Sequence, residues 1–317
     1  MNILFTGASS FTGHWFVQEL RKAGHTVFAT LTKSSIEDYS GIRKTRLENL
    51  AEHCNFIYNC SFGSDKFLEA IDGDVLFGAI CHHAHDNTNY RSPDYDSKKA
   101  VKRSTHNINQ VLAQAKNKNR DLIFILTGTV IEIGEGDPSD EGDFSSPYGA
   151  SKHECFEIVK SACEKSGVRL GKFVIPNPFG PYEEDRFTTY LMNSWRKSET
   201  PFVRTPDYIR DNIHVSLLAI AYAYFLNEVV ESELSFEKNN PSQYRESQRD
   251  FAIRFIKEME KRFSFSCPIA YNDNAKYSDP IKRVNIHDAA ESFSAEWDED
   301  SAWDQIADFY KILYKIN

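Results

Sequence analysis

Two side chains suited to proton transfer, Tyr148 and Lys152, lie four residues apart in a segment with helical periodicity. At this spacing both side chains occupy one face of a helix. A tyrosine with a pKa of about 10 is a poor acid or base at neutral pH, but a neighbouring ammonium group favours the phenolate and lowers that pKa. The bare pair is common by chance. Its position gives it weight, because it begins the helix that follows the fifth predicted strand, downstream of Thr127-Gly128-Thr129.

A glycine-bounded turn, Gly7 to Gly13, follows the first predicted strand and opens the first predicted helix. A dinucleotide-binding turn requires this context. The glycines permit a tight turn and close packing of helix on strand, and the amides at the helix N-terminus face a pyrophosphate. Ser10 stands where such turns carry a middle glycine, which predicts a looser backbone approach, and a simple strand-to-helix turn has a similar composition. The residues predicted to contact the cofactor here are Gly7, Ser9, Ser10, Phe11, Thr12 and Gly13.

The loop after the second predicted strand bears on which dinucleotide is bound. An acidic residue at the end of this strand would bond the ribose 2′-hydroxyl and repel a 2′-phosphate. The strand ends in Leu31-Thr32-Lys33-Ser34-Ser35, which contains no acid. A lysine and hydroxyl groups can hold a 2′-phosphate instead. Lys33 and Ser34 therefore favour NADP(H), with NAD(H) possible, although an exposed polar loop would have the same composition.

Short apolar segments alternate with helical patterns, and this alternation predicts βαβ units around a parallel sheet. The predicted strands cover residues 2–6, 26–31, 56–58, 75–81, 122–126 and 170–175. The predicted helices cover residues 12–23, 64–71, 97–117, 148–166, 186–197, 215–231, 247–262 and 301–315. We expect an α/β fold, with a Rossmann-type doubly wound parallel sheet in residues 1–175. The more polar residues 176–317 predict mainly a smaller, mixed substrate-binding lobe, with segments that return to the first domain.

Length, charge and cysteine content exclude several classes of protein. The chain has 317 residues and a formal net charge of −9, which disfavours nucleic acid as a partner because duplex binding needs a basic face. No run of about 18 apolar residues predicts a membrane span, and the first residues lack the layout of a signal peptide. Six scattered cysteines without a CxxC pair indicate free thiols in a reducing compartment. We therefore expect a cytoplasmic protein.

In their order and spacing, the turn at Gly7, the strand end at Thr127–Thr129 and the Tyr148/Lys152 pair resemble one family. It is the extended short-chain dehydrogenase/reductases, the NAD(P)-dependent nucleotide-sugar epimerases, dehydratases and reductases. The resemblance extends over nearly the whole chain. It implies that Tyr148 is the catalytic acid and base, that Lys152 tunes it and bonds the nicotinamide ribose, and that Thr129 bonds the reacting sugar oxygen. Thr127 is the alternative, because a strand-end hydroxyl such as that of Thr129 can also bond local backbone.

A histidine-rich segment, residues 80–84 (Ile-Cys-His-His-Ala), resembles the end of the fourth strand in this family. The resemblance implies that the backbone of His82 and Ala84 flanks the cofactor. The cluster of His82, His83 and His85 could instead suggest a metal site. Metal ligands usually come as sets with a characteristic spacing, and no carboxylate or cysteine set of that kind accompanies these histidines, so we predict no metal.

Two later segments resemble substrate-binding motifs of the family. The loop Asn-Pro-Phe-Gly-Pro resembles its NxxGP motif and implies Asn177 beside the substrate diphosphate, with the backbone of Pro176 beside the nicotinamide. The segment Arg-Asp-Asn-Ile-His-Val resembles RDFIHV and implies that Arg210 clamps the substrate pyrophosphate, a task suited to its planar fork. Arg204 is a second candidate for this task, and a surface ion pair explains it equally well.

The sequence also departs from the family pattern at several positions. Cys60 stands where an acid often lies near the adenine, Val101 where an asparagine is expected, and Ser216 where an acid often follows His-Val. Cys60 is still predicted to contact the cofactor. The family's dehydratases carry Thr-Asp-Glu after the fifth strand, whereas residues 129–131 here are Thr-Val-Ile. This difference removes the acid and base for water elimination and argues against a dehydratase.

Two reactions on a nucleotide-diphosphate sugar fit the resemblance. An NADPH-dependent reductase would deliver hydride to a keto sugar, such as a 4-keto-6-deoxyhexose, with Tyr148 supplying the proton; the loop at Lys33 favours this reading. A 4-epimerase would keep NAD bound, oxidise the sugar and reduce it on the other face. A dinucleotide-binding sensor without catalysis is the alternative from another class, although such proteins typically lose the tyrosine or the lysine. Members of the family often dimerise through helices near 97–117 and 148–166, which implies a homodimer.

Overall fold

The computed structural model describes residues 1–86, 90, 92, 94–137, 146–275 and 280–315. Within these residues the strands are β1 (Asn2–Thr6), β2 (Thr26–Thr30), β3 (Asn55–Ile57), β4 (Phe77–His82), β5 (Ile123–Thr129), β6 (Arg169–Ile175), β7 (Asn177–Phe179), β8 (Phe202–Val203), β9 (Ile209–His214), β10 (Phe236–Asn239), β11 (Pro241–Ser242), β12 (Tyr244–Ser247), β13 (Ala270–Tyr271), β14 (Lys282–Arg283) and β15 (His287–Asp288). The α-helices are α1 (Phe11–Lys22), α2 (Gly41–Ala51), α3 (Asp65–Asp72), α4 (Ser97–Ser104), α5 (Ile108–Lys118), α6 (Pro147–Ser166), α7 (Phe187–Arg196), α8 (Val215–Glu231), α9 (Gln248–Arg262), α10 (Ala289–Ser292) and α11 (Glu299–Tyr314). A short 3₁₀ helix covers Ile36–Asp38.

The largest sheet among the described residues has seven strands. Its strand order is β10-β6-β5-β4-β1-β2-β3, and every neighbouring pair is parallel. The order reverses beside β1, because β2 and β3 extend to one side and β4, β5 and β6 to the other. In doubly wound sheets, ligands bind beyond the carboxyl ends of the strands at such a reversal. The predicted α/β fold class with a Rossmann-type sheet is confirmed.

The central strands of this sheet are apolar along most of their length. Parallel sheets carry helices on both faces, so both faces of a central strand are buried. In β5, the six residues from Ile123 to Gly128 are buried and only Thr129, the last, is partly exposed. One core cluster joins the sheet to the helices beside it and includes Leu4, Phe67, Ile80, Val111, Leu112, Phe124, Val159 and Leu170.

The start of helix α6 is fixed by local sequence. Ser146 caps the helix, and its side-chain oxygen accepts a hydrogen bond of 3.1 Å from the Gly149 amide. Pro147 occupies the first turn, where its missing N–H leaves no bond unmade. At the other end, Gly167 adopts a left-handed conformation with φ of 65° and terminates the helix. These signals place the first turns of α6, and with them Tyr148 and Lys152, at a defined point after β5.

The segment predicted as one helix over residues 97–117 forms two helices, α4 and α5, so that prediction is wrong. Asn107 has a left-handed backbone with φ of 51°, which a continuing helix does not allow. The Asn107 side-chain amide donates a 2.9 Å hydrogen bond to the Gly63 carbonyl. A Cβ atom on Gly63 would lie 1.9 Å from the His106 carbonyl oxygen. This close approach of a distant loop fixes the break.

Two compact units are present in the described chain. The first comprises residues 1–135, 146–175 and 221–239, and the second comprises residues 136–137, 176–220, 240–275 and 280–315. The boundary between them falls within helix α8, whose residues 215–220 belong to the second unit. None of the helices in the described part of the chain combines the length and the apolar character that a membrane span needs.

A small mixed sheet centred on β9 organises the second unit. Strand β12 pairs with β9 antiparallel, while β7 and β14 pair with it in parallel. Helices α7, α9 and α11 contribute to an aromatic-rich core that includes Phe179, Trp195, Phe251, Phe255, Trp303 and Tyr310. The sheet positions two of the predicted substrate residues, because Asn177 lies on β7 and Arg210 lies on β9.

Candidate active site

The turn after β1 has a shape that only glycine permits at its two ends. Gly7 has φ of +86°, and a Cβ there would lie 2.9 Å from the Ala84 amide nitrogen. A Cβ on Gly13 would lie 2.2 Å from the Gly7 carbonyl oxygen. The turn therefore leaves no room for side chains where helix α1 meets β1 and the segment after β4. Such close backbone packing is the reason for glycine in dinucleotide-binding turns.

Ser10, which replaces the expected middle glycine, turns its side chain back onto the turn. Its hydroxyl donates to the Gly7 carbonyl at 2.8 Å and accepts from the Gly13 amide at 3.1 Å, so it caps α1. Helix geometry leaves the amides of Phe11 and Thr12 without intrahelical acceptors. These amides and the helix dipole can hold an anion at this end of α1.

His83 connects this turn to the end of β5. Its Nε2 lies 3.0 Å from the Ser10 hydroxyl and 3.1 Å from that of Thr12, while its Nδ1 lies 3.0 Å from the Thr127 hydroxyl. Burial, together with the charge of Lys152, lowers the pKa of His83 to about 3. The ring is therefore neutral at physiological pH and acts as a fixed hydrogen-bonding bridge.

His82 and Ala84, both predicted beside the cofactor, are held at the end of β4 by Thr6. His82 Nδ1 lies 2.9 Å from the Thr6 hydroxyl and its Nε2 lies 2.9 Å from the Ser104 carbonyl. The Thr6 hydroxyl also accepts from the Ala84 amide at 3.0 Å. Burial, helped by Lys152, lowers the pKa of His82 to about 3. The Ala84 backbone thus lies against Gly7, next to the turn.

The loop after β2 is organised by an acid that the sequence analysis missed, Asp38. Ser34 donates its hydroxyl to the Asp38 carboxylate at 2.5 Å, and Ser35 donates both its amide, at 3.0 Å, and its hydroxyl, at 3.2 Å. Lys33 donates to the Asp38 carbonyl. The hydrogen bond from Ser34 is the main cause that holds the pKa of Asp38 below its usual value. Of the groups expected to hold a 2′-phosphate, Ser34 therefore bonds the Asp38 carboxylate and Lys33 bonds the Asp38 carbonyl.

Cys60, the remaining residue predicted near the adenine, lies just beyond β3. Its amide donates to the Leu31 carbonyl at 2.8 Å, which continues the pairing of β3 with β2. Its side chain is buried, and burial raises the pKa of the thiol to about 11. A neutral thiol replaces the acid that the family often carries here.

Tyr148 lies on the first turn of α6 among three other rings. Its ring centroid is 5.4 Å from that of His85, 5.1 Å from that of Tyr90 and 5.9 Å from that of Tyr95. His85 is held in turn by Ser151, whose hydroxyl lies 3.1 Å from Nε2 and donates to the Tyr148 carbonyl at 2.8 Å. The sequence alone suggests His85 only as a metal ligand, because its contact with the tyrosine depends on the fold.

Lys152, one turn further along α6, points to the end of β5. Its ammonium group donates to the Thr127 carbonyl, which ties the helix to the strand. The side chain is buried, and burial lowers its pKa, while the carboxylate of Glu132 opposes that effect. A cation is thereby held beside the end of β5, where it can favour the deprotonated form of a nearby phenol.

Thr129 and Thr127 were the alternatives for the hydroxyl that bonds the reacting oxygen. The Thr127 hydroxyl is buried and lies 3.0 Å from His83. Thr129 is partly exposed at the last position of β5. Its amide donates a 2.7 Å hydrogen bond to Glu132, which fixes the strand end. The geometry favours Thr129, because its side chain is the more accessible of the two.

The predicted substrate residues of the second unit lie on or near its small sheet. Asn177 donates its side-chain amide to the Asn212 side chain at 2.5 Å. Arg210, two residues before Asn212 on β9, donates to the carbonyls of Ile209 and Ile281 at 2.9 and 2.8 Å. Arg204 is exposed on the segment between β8 and β9. Asn177 and Arg210 therefore share one sheet, whereas Arg204 lies outside it.

Pro176, the residue predicted beside the nicotinamide, begins the second unit directly after β6. Its backbone stands between Ile175, the last residue of β6, and Asn177, the first residue of β7. Thr129 pairs with Ile175 across the β5–β6 ladder. Pro176 therefore follows directly after Ile175, the residue that pairs with Thr129.

Comparison with known families identifies the class of protein. The model of the NAD dependent epimerase/dehydratase family matches residues 3–235. This match covers most of the chain, so the chain belongs to that family of NAD(P)-dependent enzymes, and the predicted family is confirmed. No curated protein sequence matches the chain at a significant level.

Many solved structures share the fold at low sequence identity. UDP-glucose 4-epimerase from Thermotoga maritima, with UDP-glucose, has a TM-score of 0.74 and 17% identity, and the alignment covers 99% of each chain. UDP-glucuronic acid 4-epimerase from Bacillus cereus, with UDP-glucuronic acid and NAD, has a TM-score of 0.70 and 16% identity, covering 99% of this chain and 100% of the other. A UDP-glucose-4-epimerase from Stenotrophomonas maltophila, with NAD and formylated UDP-arabinopyranose, has a TM-score of 0.75 and 14% identity, with 100% of both chains covered.

Proposed function

We propose that this chain is an NAD-dependent 4-epimerase of a sugar carried by a nucleotide diphosphate. The observation that carries the proposal is the meeting of the start of α6 with the end of β5, where Lys152 is tied to the strand that ends in Thr129. Tyr148 lies one turn before Lys152 on the same helix. An acid/base tyrosine, a cation and a positioning hydroxyl are the groups that reversible oxidation of a sugar alcohol needs.

The turn after β1 fits a dinucleotide. Side chains at Gly7 and Gly13 would clash with neighbouring backbone, so the turn lets a pyrophosphate approach the amides at the start of α1. His82 and Ala84 would flank the cofactor from the end of β4, and Lys152 would bond its nicotinamide ribose. When bound, NAD supplies the hydride acceptor and donor for the sugar carbon.

The chain's own residues perform the proton transfers. Tyr148 takes the proton of the sugar 4-hydroxyl as a phenolate, and the ammonium group of Lys152 favours that phenolate. Thr129 donates a hydrogen bond to the reacting oxygen and holds it near the tyrosine. After the 4-keto sugar has rotated to present its opposite face for reduction, Tyr148 returns the proton to the 4-oxygen. The net reaction inverts one carbon and consumes no external reductant.

The loop after β2 supports NAD over NADP. Asp38 already receives the hydrogen bonds of Ser34 and Ser35, and its exposed negative charge would repel a 2′-phosphate. The same carboxylate can accept from a ribose 2′-hydroxyl. A permanently held NAD suits an epimerase, and the two similar 4-epimerases from Bacillus cereus and Stenotrophomonas maltophila contain NAD.

An NADPH-dependent reductase of a nucleotide-linked keto sugar is the second candidate. It is favoured by Leu31, which is buried where an acid would select NAD, and by the cation of Lys33 in the same loop. In that case Tyr148 would act as the proton donor in one direction only. A dehydratase is disfavoured by the structure as well, because Glu132, the acid near Thr129, is buried in an ion pair with Lys172.

The substrate-binding residues are proposed from the sequence and from the small sheet of the second unit. The location and the assembly are proposed from the sequence. Asn177 and Arg210 would bind the substrate diphosphate, and Arg204 is a further candidate. We propose a nucleotide-diphosphate sugar as the partner molecule, a cytoplasmic location and a homodimer. The six cysteines are free in the structure, which agrees with a reducing compartment.

Replacement of the tyrosine tests this function. Tyr148→Phe removes the acid/base hydroxyl and keeps the ring, so we expect turnover of UDP-hexoses and UDP-hexuronic acids to fall about 10²- to 10⁴-fold with little change in cofactor content. Tyr190→Phe, at an exposed tyrosine of the second unit, is the control. Undiminished turnover in the Tyr148 variant would show that this residue is not the acid/base. If the Tyr148→Phe protein still performed its role in the cell, the protein would be a sensor.

A further inference from the structure

A buried cluster of charged side chains lies next to the end of β5. Glu132, Lys172 and Glu135 are 1%, 1% and 9% exposed. The Lys172 ammonium group lies 2.6 Å from a Glu132 carboxylate oxygen and 2.8 Å from one of Glu135, and Lys238 closes the cluster at 3.2 Å from Glu135. Buried charges are costly unless they are paired, and a cluster of this kind in an otherwise apolar layer calls for a reason.

The cluster holds the catalytic strand end at two points. One Glu132 oxygen accepts the Thr129 amide at 2.7 Å, while the other faces Lys172. A Cβ on Gly128 would lie 2.8 Å from Lys172 Cε and 2.9 Å from Glu132 Oε1. The ion pair fills the space in which a side chain at position 128 would lie, so this position requires glycine. The backbone of residues 127–129 packs against Glu132 and Lys172.

The charges of this cluster act on the buried ammonium group of Lys152, which donates to the Thr127 carbonyl two residues before Thr129. Glu132 favours its charged form, and Lys172 opposes it. Other titratable groups around Lys152 are Tyr148 and Cys155 on its own helix, and the histidines at and after the end of β4, namely His82, His83 and His85. Burial keeps these histidines neutral and the Cys155 thiol protonated. Glu132 and Lys172 thus act on Lys152 from the segment after β5 and from β6.

We propose that Glu132 is a positioning residue that fixes the end of β5 at Thr129, and with it the Thr127 carbonyl to which the Lys152 ammonium group is tied. The charges of Glu132 and Lys172 act on Lys152 in opposite senses. Glu135 shares Lys172 with Glu132 but has no contact with Thr129 among the described hydrogen bonds. The inference rests on the proposed function only for its catalytic consequence, because the contacts themselves do not depend on the substrate.

The opposite signs give a direct test. In protein labelled with ¹⁵N at lysine Nζ, with the Lys152 signal assigned from a Lys152→Arg variant, NMR titration measures the pKa of Lys152. We expect Glu132→Gln to lower this pKa by roughly one unit and Lys172→Met to raise it by a similar amount. Glu135→Gln, the matched control, breaks another ion pair of Lys172 and is expected to lower the melting temperature with a much smaller pKa change.

A double variant guards against loss of folding. Glu132→Gln with Lys172→Met removes both charges, so no unpaired charge is left between them, and the amide oxygen of the glutamine can still accept the Thr129 N–H. We expect it to fold and to show a Lys152 pKa between those of the two single variants. If a single variant does not fold, the double variant is compared with Lys172→Met/Glu135→Gln instead, and equal pKa values for Lys152 in these two would overturn the proposal.

Kinetics distinguish this inference from the proposed function. The alkaline limb of the kcat profile, where Lys152 loses its proton, should move with the measured pKa, while KM for the sugar stays near the parental value. Glu132→Gln and Glu135→Gln with identical profiles and identical Lys152 pKa values would overturn the positioning role, although Tyr148→Phe still abolished turnover. A fully active Tyr148→Phe enzyme would overturn the proposed function, whatever the Lys152 titration showed.

Discussion

Strands β1 and β2 pair along their whole length, so the turn after β1 and the loop after β2 lie at the same edge of the sheet. The turn and the loop are nevertheless built in different ways. The turn is made by backbone, and Gly7 and Gly13 sit where a Cβ would strike a main-chain atom. The loop is made by side chains, because Ser34 and Ser35 are held by a carboxylate a few residues later.

This difference decides what each element reveals about function. A backbone turn is visible in the sequence, because its close contacts force glycine at fixed positions between a strand and a helix. A side-chain loop hides its meaning, since Lys33, Ser34 and Ser35 read as a phosphate site until Asp38 is seen to occupy their hydrogen bonds. The turn thus predicts dinucleotide binding as a class, and in the function proposed above the loop selects the dinucleotide.

The largest effect is expected at Gly13. Gly13→Ala places a methyl group 2.2 Å from the Gly7 carbonyl oxygen, so the turn must shift, and we expect a loss of about 4 kcal/mol in unfolding free energy and no cofactor binding. Chemical denaturation and calorimetric titration measure both. Gly73→Ala, where the new atom would be 3.5 Å from its nearest neighbour, is the control. A Gly13→Ala protein that kept its cofactor would show that the turn is not defined by backbone contact.

An intermediate effect is expected at Asp38, where removal of a charge should change preference and leave the fold intact. Asp38→Asn keeps an acceptor for Ser34 and Ser35 but removes the repulsion of a 2′-phosphate. We expect affinity for NADP(H) to rise roughly tenfold, with a smaller change for NAD(H). Glu37→Gln, at the adjacent exposed acid, is the control. If the ratio of the affinities for NADP(H) and NAD(H) were unchanged in Asp38→Asn, the loop would not select the dinucleotide and the contrast between the turn and the loop would be wrong.

The smallest effect is expected at Ser10. Ser10→Ala removes the cap of α1 and should lower the unfolding free energy by about 1 kcal/mol, whereas Ser10→Gly should cost only a few tenths. Both variants should still bind cofactor, because the backbone of the turn is unchanged. Thermal denaturation with and without NAD compares them. Loss of cofactor binding in Ser10→Gly would mean that the serine side chain is itself a ligand.

The sequence predicted those parts of the molecule whose causes are local. The strand-and-helix alternation, the turn at Gly7 and the placement of Tyr148 after β5 follow from periodicity, glycine spacing and the order of the motifs along the chain. Their signals lie within a few residues of the structures they form, and the family and the fold class predicted from them are confirmed.

Features that depend on contacts between distant segments could not be predicted. The break between α4 and α5 depends on Gly63, some forty residues from Asn107 in the chain. The ion pair joins Glu132, three residues after the end of β5, to Lys172 on β6, and neither residue has a local pattern that marks it. Helix α2 was missed because its apolar residues are few; only Arg46, Leu47 and Leu50 are buried in it.

Identification of the cofactor tests the central claim most directly. The purified protein is denatured without added nucleotide, and any released nicotinamide dinucleotide is identified and quantified by mass spectrometry. A 4-epimerase that keeps its cofactor predicts NAD in near-stoichiometric amount. Release of NADP(H), or an empty protein that then takes up NADPH in preference to NADH, would contradict the epimerase and favour the reductase, and would mean that Asp38 does not govern the loop after β2.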